Sequence, residues 1–175
     1  MRSLRGCSME KVLEDAPPSM SLEVIEQNEP ALRLYETLGF ERSRILEIWT
    51  LDGELPPADA RTTEPSPLDQ DGLPWQRDAR SLRDGYERIE VDGGAALIRA
   101  GSNVNVLQLA ARDAAAAAEL LSAARGRGDS LRYVNVPEGD PASAALRALG
   151  GRLDLRQFEM RRGAATMRGR VRQPR

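Results

Sequence analysis

Apolar positions along this chain fall into short blocks whose period switches between two and 3.6 residues. Ser21–Gln27 (SLEVIEQ) reads as a strand, with Leu22 and Val24 on one face and Ile25 on the other. Ala31, Leu34, Tyr35 and Leu38 then recur at i, i+3, i+4 and i+7, the spacing of one helical face. Asn28 opens that helix. Pro30 suits its first turn, where a missing N–H costs nothing, and Gly39 is placed to end it. Glu41–Leu51 is extended again, with Ile45, Glu47 and Trp49 on one face and Leu46, Ile48 and Thr50 on the other; Asp52-Gly53 marks a turn. Ahead of these, Met9–Ala16 reads as the end of a helix, with Val12 and Leu13 as its apolar contacts, stopped by Pro17-Pro18.

The second half has its own rhythm. Gly85–Asp92 and Gly94–Arg99 predict a hairpin turning at Asp92-Gly93. Asn103–Ala110 (NVNVLQLA) is a strand. Asp113 caps a helix whose buried stripe is Ala117, Leu120, Leu121 and Ala124, closed by Gly126 and Gly128. Leu131–Val136, a Pro-Ala helix within residues 139–151, and Leu153–Met160 complete the series.

The two Pro-Ala helices align at a constant offset of 111 residues, from Pro30 to Pro141 and from Leu38 to Leu149. The buried positions Ala31, Leu34, Tyr35 and Leu38 become Ala142, Ala145, Leu146 and Leu149, and each helix lies between two strands. A repeated strand–helix–strand with matching Pro and Gly punctuation implies two copies of one domain. The pattern divides the chain into residues 1–53, a linker at 54–78, a second copy at 79–162 and a tail at 163–175.

Composition sharpens this. Residues 54–78 hold five prolines and little apolar content, which predicts an extended, solvated, acidic linker, with Trp75 packing down where the second copy begins. The tail from Arg161 carries six arginines and no acids and reads as disordered. The net charge of −2 gives no reason to expect nucleic acid or a membrane surface, and no apolar run reaches the roughly 20 residues of a membrane span. With no signal-like N-terminus either, a cytoplasmic protein is expected. Lys11 is the only lysine among 25 basic residues, which with the Ala-rich runs suggests a GC-rich bacterial genome. The chain has no His, so imidazole cannot serve as base, metal ligand or triad member; Cys7, the only cysteine, allows neither an internal disulfide nor a Cys-based zinc site. No metal is expected.

The block NEPALRLYETLGFE, residues 28–41, following its strand, resembles the last conserved block of the GCN5-related N-acetyltransferases (GNAT family): strand, Asn, short helix with Leu-Tyr, Gly-Phe, strand. The resemblance implies an α/β (α+β) fold, a GNAT-like mixed sheet with flanking helices, here in two incomplete copies, the first beginning only near the end of the family's cofactor helix. It implies acetyl transfer from acetyl-CoA, as cosubstrate, to a primary amine. In such enzymes the pantetheine arm enters a splay between two parallel strands, a Tyr protonates the leaving thiolate, and a glycine loop at a helix N-terminus holds the pyrophosphate. By that likeness Tyr35 is the catalytic acid, and Asn28 and Ala31 lie on the cofactor side. Ser3–Ser8 is the only candidate phosphate loop of the first copy, so Arg5, Gly6 and Ser8 are cofactor-binding candidates. The second copy has Arg112-Asp113 instead of a glycine loop, Gly139 at the position of Asn28, and Leu146 at that of Tyr35, which makes it a structural pseudo-domain. The strand Ser21–Gln27 also lacks the neighbour it would splay from. It must pair with the second copy, pair with another chain as a homodimer, or stay poorly folded. The alternative to an enzyme is therefore an inactive GNAT-like module that dimerises or binds a partner.

Overall fold

The computed structural model describes residues 19–70 and 72–163. They belong to two compact units that do not follow chain order: Arg44–Gln157 form one, while the segments up to Ser43 and from Phe158 onward form the other. The candidate phosphate loop with Arg5, Gly6 and Ser8, the helix end at Met9–Ala16, Cys7 and the tail beyond Gly163 lie outside the described residues.

The larger unit follows from its strand periods and one apolar helix. β2 (Glu41–Leu51), β3 (Arg61–Thr63), β4 (Glu87–Val91), β5 (Gly94–Arg99), β6 (Asn103–Ala111), β7 (Ser130–Pro137) and β8 (Arg152–Arg162) stand in the sheet order β8-β2-β7-β6-β5-β4-β3. The β4–β5 hairpin turns at Asp92-Gly93 as expected, with Gly93 at φ +85°. β6 and β7 are parallel, which requires a crossover. α2 (Ala114–Arg125) provides it, burying Ala117, Leu120, Leu121 and Ala124. The helix lies so close to the hairpin that a Cβ on Gly94 would stand 2.8 Å from Ala110 O and 2.9 Å from Leu120 Cδ1. α3 (Pro141–Ala148) buries Ala142, Ala145 and Leu146 in the same core.

The smaller unit holds β1 (Met20–Ile25), α1 (Glu29–Thr37), the start of β2 and the end of β8. Val24, Leu32, Phe40 and Met160 form its core, with Ala31, Tyr35 and Leu38 packed against them. β1 neighbours β8, so the strand that lacked a neighbour finds one in the other half of the chain.

Three expectations change. Leu34 is not on the buried face of α1: it is 48% exposed, and Leu32 is buried instead, because that face meets β1 and β8 through Leu32, Ala31 and Tyr35. The proline-rich stretch is not simply extended and solvated. Arg61–Thr63 pairs with Arg88–Glu90 as a sheet strand, and Leu68, Pro74 and Arg77 are buried. Trp75 does not pack down; it is 53% exposed, because a single helical turn at Trp75–Arg77 directs Arg77 inward in its place.

The spacing of 111 residues seen in the sequence recurs in the element bounds: β2 starts at Glu41 and ends at Leu51, β8 starts at Arg152 and ends at Arg162. The glycines ahead of them, Gly39 and Gly150, both adopt left-handed backbone, at φ +85° and +77°. Among the described residues no helix is long and apolar enough to cross a membrane.

Candidate functional site

Two places in the fold hold the polar groups of interest. The first is the N-terminal end of α1. Asn28 is its N-cap: its N–H donates to Ile25 O at 2.9 Å, closing the turn out of β1, and its Oδ1 accepts from Ala31 N at 3.3 Å. Ala31 thus enters through its backbone, and that N–H is engaged by the cap. Tyr35 follows two turns later, roughly 10 Å along the axis. Its ring stands edge-on to Phe40, centroids 5.7 Å apart and planes at 73°, so its orientation is fixed by packing. Asn28 and Tyr35 are thereby held on one rigid element.

The second place is in the larger unit, where β6 and β7 part. Their register runs from Asn103↔Ser130 to Val106↔Tyr133 and goes no further among the described residues, although β6 continues to Ala111 and β7 to Pro137. Two one-residue bulges explain the parting. Leu107 is inserted in β6 against β5, and β7 carries two residues, Val134 and Asn135, against Ile48 of β2. Asn135 takes the left-handed conformation the second bulge needs, at φ +61°, which Asn tolerates better than most residues. Its Oδ1 accepts from Gln157 Nε2 at 2.5 Å.

The gap is filled by the chain itself. Arg77, only 3% exposed, donates from one terminal nitrogen to Asn135 O at 3.1 Å and from the other to the Tyr133 hydroxyl; its guanidinium lies 4.6 Å from the Tyr133 ring centroid. Buried Gln108 grips the same segment twice, accepting from Leu68 N at 2.8 Å and donating to Arg77 O at 2.7 Å. Gln70 Nε2 donates to Leu109 O at 3.1 Å. Burial pushes the Tyr133 hydroxyl far above its usual range, so it is neutral and accepts from Arg77. Neither Arg77 nor Gln108 stood out in the sequence. The only clue was a polar residue inside the apolar run VLQLA.

The helices of the two units differ in their capping residues. α2 is capped by Asp113, whose Oδ1 accepts from Ala116 N at 2.9 Å, and α3 by Asp140, whose Oδ1 accepts from Ala142 N at 2.8 Å. A carboxylate already sits where each helix would attract an anion. The Ala116 N–H, then Arg112, hold the Asp113 carboxyl below its ordinary 3.8. The α1 cap is the neutral Asn28 amide, and the carboxylate at this end belongs to Glu29 in the first turn, paired with Arg33 at 3.3 Å. Glu90, beside Arg61, and Asp78, beside Arg80, are depressed in the same direction. Groups with a lowered folded-state pKa contribute stability above their unfolded values, 3.8 and 4.5 here. The melting temperature is therefore expected to be flat with respect to these groups from pH 7 to about 5 and to fall as pH drops through their lowered values. A melting temperature that rises on acidification below pH 4 would contradict this.

No protein-family model and no curated protein sequence matches the chain. Solved structures do. A protein from Pyrococcus horikoshii assigned as an acetyltransferase superimposes with a TM-score of 0.60 at 14% identity, covering 89% of this chain and 57% of its own. A GCN5-related N-acetyltransferase from Sphaerobacter thermophilus gives 0.55 at 16%, covering 87% and 63%. A protein from Novosphingobium aromaticivorans assigned to the GNAT acetyltransferases gives 0.50 at 17%, covering 90% and 79%. The chain spans less than two thirds of the length of the first two. The mixed sheet with its three helices is thus a GNAT fold.

Proposed function

We propose that this chain belongs to an acetyl-CoA-dependent N-acetyltransferase made of two GNAT-like copies, and that the first copy carries the chemistry while the second is structural. The observation that carries the proposal is the β1–α1–β2 unit. It presents Asn28 as the neutral cap of α1 and Tyr35 two turns on, whereas the matching helix of the second copy has Asp140 as its cap and Leu146 in place of Tyr35. In this reading an amine attacks the thioester carbonyl, the tetrahedral adduct collapses, and the departing thiolate takes its proton from the Tyr35 hydroxyl. Asn28 bonds the neutral arm of the cosubstrate. The amine acceptor is a primary amine, and no metal takes part.

Acetyl-CoA at one hundred times its dissociation constant is expected to stabilise the folded chain by about 2.7 kcal/mol, read as a rise in melting temperature. Tyr35→Phe keeps the ring contact with Phe40 and is expected to slow turnover about tenfold or more, with little change in KM. Full turnover in Tyr35→Phe would remove Tyr35 from the mechanism.

A second reading is favoured by the Asp113 cap. With a carboxylate on the helix after β6, the larger unit repels a pyrophosphate, and the chain would act as a non-catalytic module that dimerises or binds a partner. It predicts no thermal shift with acetyl-CoA and a dimer by light scattering.

A further inference from the structure

The larger unit holds a cavity of about 520 Å³ between the last turn of α2 and residues 54–60, the run that joins β2 to β3. That volume lies within the roughly 300–1,000 Å³ that suits small ligands. Leu55, Ala58 and Ala60 pack on the main core beside α2, which fixes this wall of the cavity, and Pro56 and Pro57 stiffen it.

Two polar groups on the helix wall lack partners. Ser122 is only 8% exposed and lines the cavity, and among the described residues its hydroxyl makes no hydrogen bond. Buried polar groups are normally bonded, so a hydroxyl left open onto a cavity marks a place for a ligand atom. Arg125 stands three residues on, on the same helix face. Its terminal nitrogens donate to Gly128 O and, at 3.1 Å, to Asp52 O. Its Nε has no acceptor, and among the described residues no carboxylate pairs with it.

The charges around the cavity narrow the ligand. Arg127 also lines it but is neutralised by Glu87, at 2.7 Å. The exposed carboxylates of Glu54 and Asp59 line it too and have no partner among the described residues. A ligand with negative charge alone meets the two acids, and one with positive charge alone meets Arg125.

We propose that this cavity binds a free aliphatic α-amino acid as its zwitterion: the carboxylate on Ser122 and Arg125, the ammonium against Glu54 and Asp59, the side chain on Leu55 and the two prolines. Either end of a peptide offers only one of the two charges. The site belongs to the larger unit and uses no residue of the acetyl-transfer proposal, and its test uses no acetyl-CoA.

The test is isothermal titration of the full chain with L-leucine, with L-leucinamide, which lacks the carboxylate, and with 4-methylpentanoate, which lacks the ammonium. Leucine is expected to bind at one site with a Kd below about 1 mM, and both analogues at least about tenfold more weakly. Ser122→Ala should weaken leucine about fivefold at an equal or higher melting temperature, because no hydrogen bond within the protein is lost. Asp59→Asn should weaken leucine about fivefold and leave 4-methylpentanoate unchanged or tighter. No saturable binding of leucine up to about 10 mM would overturn the proposal. Either analogue binding as tightly as leucine would overturn it as well, since a peptide end would then suffice. So would leucine affinity unchanged in both variants, which would place the binding elsewhere.

Discussion

Glu47→Ala is expected to destabilise the chain by about 3 kcal/mol, among the largest losses available from one side chain in the larger unit. Glu47 is fully buried on β2, yet three donors converge on its carboxylate: Trp49 Nε1 at 3.0 Å, Ser143 Oγ at 2.5 Å and an Arg147 nitrogen at 2.5 Å. Trp49 and Ser143 are themselves buried, so alanine orphans an indole N–H and a hydroxyl, each at roughly 1–3 kcal/mol, and leaves a cavity between β2 and α3. Arg147 contributes less to the loss, because it is 51% exposed and regains water. Its guanidinium lies 5.4 Å from the Trp49 ring centroid. Urea unfolding should show a lower midpoint at unchanged slope. Glu47→Gln, which keeps one acceptor, should lose about half as much. A Glu47→Ala loss below about 0.5 kcal/mol would mean that the three donors find other partners.

Gly128→Ala should cost about 3 kcal/mol, for a steric reason. A Cβ there would stand 2.1 Å from Gly101 O, 2.9 Å from Val104 Cγ2 and 3.0 Å from Ser102 O. Two of these are backbone atoms of the turn before β6, which cannot swing aside as a side-chain tip can. The same turn accepts from Asp129 N at 2.8 Å and Ser130 N at 3.1 Å, both through Ser102 O, immediately before the β6–β7 register begins at Asn103↔Ser130. The methyl thus pushes on the start of the one parallel pair described. A fall of roughly 10 °C in melting temperature is expected by calorimetry; a fall under 2 °C would show that the turn yields.

What the sequence could convey depended on whether the cause was local. The hairpin at Asp92-Gly93, the Ala117–Ala124 stripe of α2 and the caps at Asn28 and Asp113 follow from turn chemistry and period within a few residues. The bulges at Leu107 and in β7 are single insertions that leave no trace in an apolar run, and they decide where β6 and β7 part. Leu32 and Leu34 both fit an amphipathic helix; which one is buried depends on β1 and β8, which the helix's own sequence does not contain. Arg77 sat in a proline-rich, acidic stretch whose composition predicts solvation. Its burial depends on Asn135 and Tyr133, more than fifty residues away. For the proposed site, Asn28 and Tyr35 stood out because they fit a motif; of what that motif implies, the structure shows the helix opening at Asn28, capped by its Oδ1.

The central claim is that the first copy's helix end takes acetyl-CoA. Isothermal titration of the full chain and of Asn28→Asp tests it most directly. Aspartate keeps a capping oxygen for the α1 end, so the fold is preserved, but it removes the amide donor and adds a charge that repels the cosubstrate's phosphates. The account predicts one saturable site in the wild type, with affinity at least about tenfold weaker in Asn28→Asp at equal thermal stability. No binding by the wild type, or equal affinity in both proteins, would contradict it.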